Sequence, residues 1–304
     1  MKTIILNVDD SNMSRDGGKA SISCWNFRNS PGIPLGNADQ FFLMLHSISS
    51  LECRLKLWAF TLDFELMEED ITYPLKCLKD GIDRIKTSKT FSLMMSHILA
   101  VGNVLNRTDC EGFQLEYLSK LKDVKDTDTK KTLLHHIMRN ILDNESELKD
   151  LAQEFVEFRI VSRTNFEEVQ TNLESMEKEC KRSIGYLKLA ARYDPDTHQL
   201  VRDFLIGATE RILTMKRIYK LVLQKHAAFL DWLAISNHLQ NDYNPMKVAT
   251  ILINFALDVN RAKTQLIEKN RSSKKPRSET VIVTKSYYKK SRERERRFIS
   301  KLVI

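Results

Sequence analysis

From about residue 40 to about residue 270, apolar positions recur at the spacing of amphipathic helices rather than strands. Asn37, with Gln40 three residues later, reads as a capping box. Phe41, Leu45 and Ile48 then follow at steps of four and three. Leu55 to Phe64 is a second apolar stretch around Trp58, and Pro74 predicts the start of a further helix. Phe91, Met94, Ile98, Val101 and Leu105, at steps of 3, 4, 3 and 4, predict a clear amphipathic helix that Gly102-Asn103 interrupts near its end. Asn106 to Asp109 reads as a loop, and a short apolar ladder follows in Phe113, Leu115, Leu118 and Leu121. After a charged stretch from Lys120 to Lys131, Asp126, Thr127 or Asp128 can cap a helix whose apolar face is Leu134, Ile137 and Ile141.

In the second half the pattern lengthens. From Ser146 to Arg192, Val169, Leu173, Met176 and Cys180 form a seam that Ile184 and Leu187 continue after an irregular step. Asp194-Pro195-Asp196 breaks it. A second long helix is predicted from Asp196 to Gln240, with Leu200, Phe204, Ile212, Met215, Tyr219, Val222, Phe229 and Leu233 inward. Two helices of about 45 residues joined by a tight turn predict an antiparallel coiled-coil hairpin roughly 65 Å long. Asn244-Pro245 opens a last helix to about Lys269. Residues 1–32 carry Gly17-Gly18 and Pro31-Gly32 without a period and read as disordered. The predicted fold is all-α.

Composition agrees: the 304 residues hold only 9 Gly and 6 Pro, and no Pro lies between Pro74 and Pro195. Five scattered cysteines without a C-x-x-C pair argue against a disulfide framework or a structural zinc site. The N-terminus lacks a signal-peptide core, and no apolar run approaches the ~20 residues of a membrane span. The expected address is cytoplasmic, and the sequons at Asn106 and Asn144 read as chance matches. The net charge of +8 is local: residues 271–304 hold 12 Lys/Arg against 3 Glu, leaving residues 1–270 at about −1.

Candidate chemistry is sparse. Gly17-Gly18-Lys19-Ala20 fails as a phosphate loop, because Met13 stands where the first Gly belongs and Ala20 has no hydroxyl for a metal. Adjacent His135 and His136 point about 100° apart on a helix and cannot chelate one ion. The carboxylates sit in Glu/Lys mixtures of solvated faces, and no Ser, Cys and His set forms a nucleophilic arrangement. No enzyme, cofactor or metal is expected. The tail reads first as a solvated, interaction-prone segment. A second reading is acidic-membrane or nucleic-acid binding, or nuclear import at Lys274-Lys275-Pro276-Arg277. Tyr287-Tyr288 offers too little aromatic interleaving for base stacking, so nucleic acid is not the expected partner.

Leu99 to His136 reads LAVGNVLNRTDCEGFQLEYLSKLKDVKDTDTKKTLLHH. It resembles the formin homology 2 signature of G-N-x-x-N, G-F-x-L-x-x-L-x-K-L, V-K-D and T-L-L-H. Ile33 to Phe41 and Leu55 to Phe60 are similar to the knob of that domain. The wording is nearest to the FHOD-type formins, and the resemblance covers residues 33–270.

That resemblance implies an elongated helical assembly with a knob-like remnant, a post and the long coiled-coil hairpin. It also implies an actin-binding protein of the cytoskeleton, related to filament nucleation, elongation and barbed-end association. In the family, paired domains close a ring in which the post receives the partner's lasso; the matching residues are Gly102, Asn103 and Asn106, with Val104 and Leu105 in place of the usual aromatic-Met pair. The family's actin-contacting lysine matches Lys125, with Lys120 and Lys122 adding to the same field toward acidic actin. The lasso, linker, first part of the knob and a proline-rich segment have no match, and Trp25 lacks the pattern around a lasso anchor. The reading is therefore an N-terminally truncated domain with weak actin binding, poor nucleation and incomplete homodimerisation. The alternative is a coiled-coil scaffold without actin assembly activity.

Overall fold

Helix start and stop signals divide the chain more finely than its apolar period alone suggests. The structure, a computed structural model, describes Leu45 and residues 48–126, 130–144, 149–192 and 199–272. The capping box at Asn37, the Gly17-Gly18 segment, Trp25, Thr127, Asp128, the Asp194–Asp196 break and the tail beyond residue 272 lie outside these residues.

Among the described residues there are nine α-helices and one isolated antiparallel bridge, so the expected all-α class holds. They are α1 Leu51–Thr87, α2 Lys89–Asn106, α3 Tyr117–Lys120, α4 Leu133–Asn144, α5 Leu151–Glu154, α6 Val156–Val161, α7 Phe166–Ala191, α8 Gln199–Trp232 and α9 Pro245–Ser272. None is long and apolar enough to cross a membrane.

Three boundaries differ from expectation. Pro74 lies inside α1 and does not begin a helix. It cannot donate to the carbonyl four residues earlier, but Ile71, Leu75, Leu78, Ile82 and Ile85 bury one continuous stripe across it. The charged segment from Ser146 is not one helix with α7. Asp150 caps α5 by accepting from the Ala152 and Gln153 amides, and a turn at residues 162–165 separates α6 from α7. The hairpin helices are therefore 26 and 34 residues, about 39 and 51 Å, shorter than the expected 65 Å. Leu200, expected inward, is 79% exposed. The buried row instead begins one residue later and keeps steps of four and three through Val201, Leu205, Ala208, Ile212 and Met215.

The contacts fall into two compact units. The first unites Met1–Tyr73 with Glu167–Leu221. Here α7 and α8 run antiparallel: Lys216 pairs with Glu177, and Tyr219 donates to Gln170 at 3.3 Å. Seam residues Val169, Leu173, Met176 and Cys180 are buried as expected. Small residues Ser183 and Ala190 then keep the period, removing the irregular step expected at Ile184. The N-terminal half of α1 closes the bundle through Phe60 and Phe64, edge-on to Phe204 at 6.2 and 5.5 Å.

The second unit unites Pro74–Phe166 with Val222–Ile304. Its central element is α9, packed by α3, α4, α5 and α6. Val248, Leu252, Phe255, Ala256 and Val259 are buried there, as a helix with neighbours on several sides requires. Gly81 on α1 permits the close approach of α6, because a Cβ there would stand 2.9 Å from the Phe158 ring.

Candidate functional site

The predicted site residues all fall in the second unit, on α2 and the segment that leads from it to α4. Ser88 starts α2 by accepting from the Phe91 amide at 3.0 Å while donating to Glu154 at 2.5 Å. Phe91, Met94 and Ile98 bury the helix, as their spacing predicts. The end is unusual: Arg107 adopts φ 52°, ψ 40°, and its amide donates back to the Asn103 and Val104 carbonyls.

Asn103 organises the loop beyond. Its Nδ2 donates to the Cys110 carbonyl at 2.9 Å, while its Oδ1 accepts from the Cys110 amide at 3.0 Å and the Thr108 hydroxyl at 3.1 Å. Its amide group is thus spent inside the loop. Gly102 sits one residue earlier, and a Cβ placed on it meets nothing within 4 Å. No internal packing demands glycine at this point. Val104 and Leu105 follow at 57 and 60% exposure, and Asn106 is exposed beside them. The result is a shallow, uncrowded surface with two apolar side chains facing water.

The lysine segment is anchored from below. Leu115, Leu118 and Leu121 are buried, fixing α3, and the Val124 amide donates to the Lys120 carbonyl at 3.3 Å. The chain then turns back on itself. Lys125 bridges Thr132, the Leu133 amide donates to the Val124 carbonyl at 2.8 Å, and the Asp126 amide donates to the Lys131 carbonyl at 2.9 Å. At the start of α4 the Thr132 hydroxyl accepts from the His135 amide at 3.3 Å. His135 reaches Gln265 at 2.6 Å, and His136 stands 3.7 Å from Asp126. Neither belongs to a metal-binding group, and among the described residues no such group occurs.

The three lysines share this segment but differ in setting. Lys125 is exposed at the base of the turn and makes no ion pair among the described residues. Lys122 pairs with Asp258 of α9 at 3.2 Å, and Asp258 is shared with Arg261. Lys120 lies 5.6 Å from the Tyr117 ring.

A brace beside them was not predicted. Lys247 sits over the Tyr243 ring at 4.3 Å and 3.6 Å from Glu116. Burial, reinforced by the hydrogen bond to Glu116, pushes the Tyr243 hydroxyl up to about 12. Partial burial raises the Glu116 carboxyl, but the bond from Tyr243 and the Lys247 charge bring it below its ordinary value. No local pattern could link residues so far apart in the chain.

Comparison with known proteins shows the family of the chain. The family model described as Formin Homology 2 Domain matches residues 23–260, which includes Trp25 and all of Gly102, Asn103, Asn106, Lys120, Lys122 and Lys125. The chain is 33% identical to the human FH1/FH2 domain-containing protein 3 over 92% of its own length and 21% of that relative. It is 29% identical to the human FH1/FH2 domain-containing protein 1 over 89% of its length and 24% of the relative. Formin-like protein 14 of Arabidopsis thaliana is 29% identical over 61% of the chain. The chain spans about a fifth to a quarter of the length of the two human relatives.

Proposed function

Because the chain belongs to the formin homology 2 domain family, we propose that it binds actin through the segment from Tyr117 to Leu133 and takes part in filament assembly. Lys125 carries this reading. It is an exposed point charge whose backbone is tied to Thr132 by the bridge and follows the buried Leu118 and Leu121, so it can meet an acidic surface directly. Lys122 and Lys120 extend the positive field, and Asp258 fixes where the Lys122 ammonium stands.

Gly102, Val104, Leu105 and Asn106 form the surface that receives the lasso of a second formin homology 2 chain. The open space at Gly102 and the exposed apolar pair support that role. Asn103 shapes this surface from within, since its amide group is already engaged. Residues 33–270 act as the actin-binding part and residues 271–304 as a basic tail, with the protein at the cytoskeleton in the cytoplasm. Its role is structural rather than enzymatic, and nucleic acid is not its target.

Cosedimentation with actin filaments at low salt tests the assignment. Lys125→Ala should weaken pelleting by ~3–10-fold, and Lys125→Glu should weaken it further, while Lys188→Ala changes nothing. Equal pelleting of Lys125→Ala and the parent chain would move the actin contact elsewhere. No pelleting of the parent would leave a coiled-coil scaffold.

A further inference from the structure

Ile206, Leu213 and Leu221 on α8 are 55, 48 and 62% exposed, while Leu200 and Ile218, exposed on the same helix, lie off their face. At 100° per residue these three, with Glu210 and Arg217 between them, lie within about 80° of one another around the axis. This strip faces away from the buried row Val201, Leu205, Ala208, Ile212 and Met215. All of it belongs to the first unit.

The charges divide in the same way. Arg211 pairs with Glu68 and Lys216 with Glu177, which serve the packing of the bundle. Glu210 and Arg217 make no ion pair among the described residues and stand exposed on the outer strip. Read forward, the strip runs apolar, acidic, apolar, basic, apolar. Read backward it runs the same with the two charges exchanged. A helix face with that order is complementary to its own antiparallel copy.

We propose that this strip is a docking surface for a second copy of this chain, α8 against α8 about a two-fold axis between residues 213 and 214. In that register Ile206 meets the partner's Leu221, Leu213 lies beside its own counterpart, and Glu210 meets the partner's Arg217. A parallel pairing in register would instead set Glu210 on Glu210 and Arg217 on Arg217. The sign reversal along one strip is what selects a copy of the same chain over an unrelated partner. From residue 206 to residue 221 the strip is about 22 Å long. It buries less than the ~800 Å² per partner of a stable interface, so the association is weak and shows only at high protein concentration.

The test is sedimentation across a concentration series reaching the high micromolar range. Every chain carries Leu105→Glu, so that docking at the Gly102 surface does not contribute to the mass. The charge-reversed chains Glu210→Arg and Arg217→Glu should each self-associate at least about fivefold more weakly, because like charges then face each other. Mixing the two single variants should restore association, since each supplies the sign the other lacks. The double exchange should match the parent, and Leu213→Asp should abolish the effect. These positions are solvent-exposed, and unchanged circular dichroism will show that each variant folds. A parent chain that stays monomeric throughout, single reversals that associate like the parent, or a mixture that fails to recover would each overturn the proposal.

Discussion

Lys122 and Lys125 stand three positions apart on one charged stretch, yet among the described residues only the first pairs with a carboxylate, that of Asp258. His226 shows the opposite case, a titratable group in a place meant for an apolar one. It continues the four-and-three period of α8 between Val222 and Phe229, is 6% exposed, and has no hydrogen-bond partner for Nε2. Burial lowers its pKa from the ordinary 6.5 to about 4. The folded state thus binds fewer protons than the unfolded chain between those values, and stability falls as pH drops from about 6.5 toward 4. The full difference is of order 3 kcal/mol. Replacing His226 by Leu should remove most of that slope while leaving stability at neutral pH similar or higher. Denaturant midpoints at pH 7.5 and 4.5 provide the check, and an unchanged slope would show that His226 is not the group responsible.

At the scale of elements, the approach of α6 to α1 depends on one glycine. Gly81→Ala places a methyl 2.9 Å from Phe158, whose own ring is 1% exposed and edge-on to Phe155 at 6.2 Å. The ring has nowhere to go, and the substitution should cost ~1–3 kcal/mol. Gly185→Ala in α7 meets nothing within 4 Å and should stabilise by ~0.5–1 kcal/mol. Opposite signs in chemical denaturation are the expected outcome; a neutral Gly81→Ala would contradict the close contact. The same elements show what a linear pattern can and cannot convey. The span of α2 and the α7 seam from Val169 to Cys180 were legible because long apolar runs carry their period openly. Leu200 misled because one-residue offsets rotate a helix by 100°, and Val201 was an equally apolar choice beside it. Pro74 misled because its local rule yields to a stripe buried on both sides. The motif singles out Lys120, Lys122 and Lys125 in the sequence and leaves their role a proposal, whereas Asp258, Tyr243 and Lys247 come from distant segments that only the fold brings near.

At the scale of the whole molecule, charge separates two ways of meeting an acidic polymer. Residues 273–304 hold 11 Lys/Arg and 3 Glu, so ending the chain at Ser272 takes the formal net charge from +8 to zero while retaining α9. Charges in water act over the screening length, about 8–10 Å at physiological salt, and a basic segment adds attraction that any acidic surface would feel. The contact proposed for Lys125 would act differently, at one place beside the Lys125–Thr132 bridge. Shortening the chain should therefore weaken filament binding at low salt and flatten its dependence on ionic strength. The ratio of parent to Lys125→Ala affinity should stay the same in the long and the short chain, because the two contributions come from separate parts and add. Pelleting of all four proteins across a salt series measures both quantities. If the shortened chain no longer binds at all, the attraction is the tail's alone and the turn at Lys125 is not an interface. If the ratio persists, recognition resides in the folded residues and the tail only raises the rate of encounter.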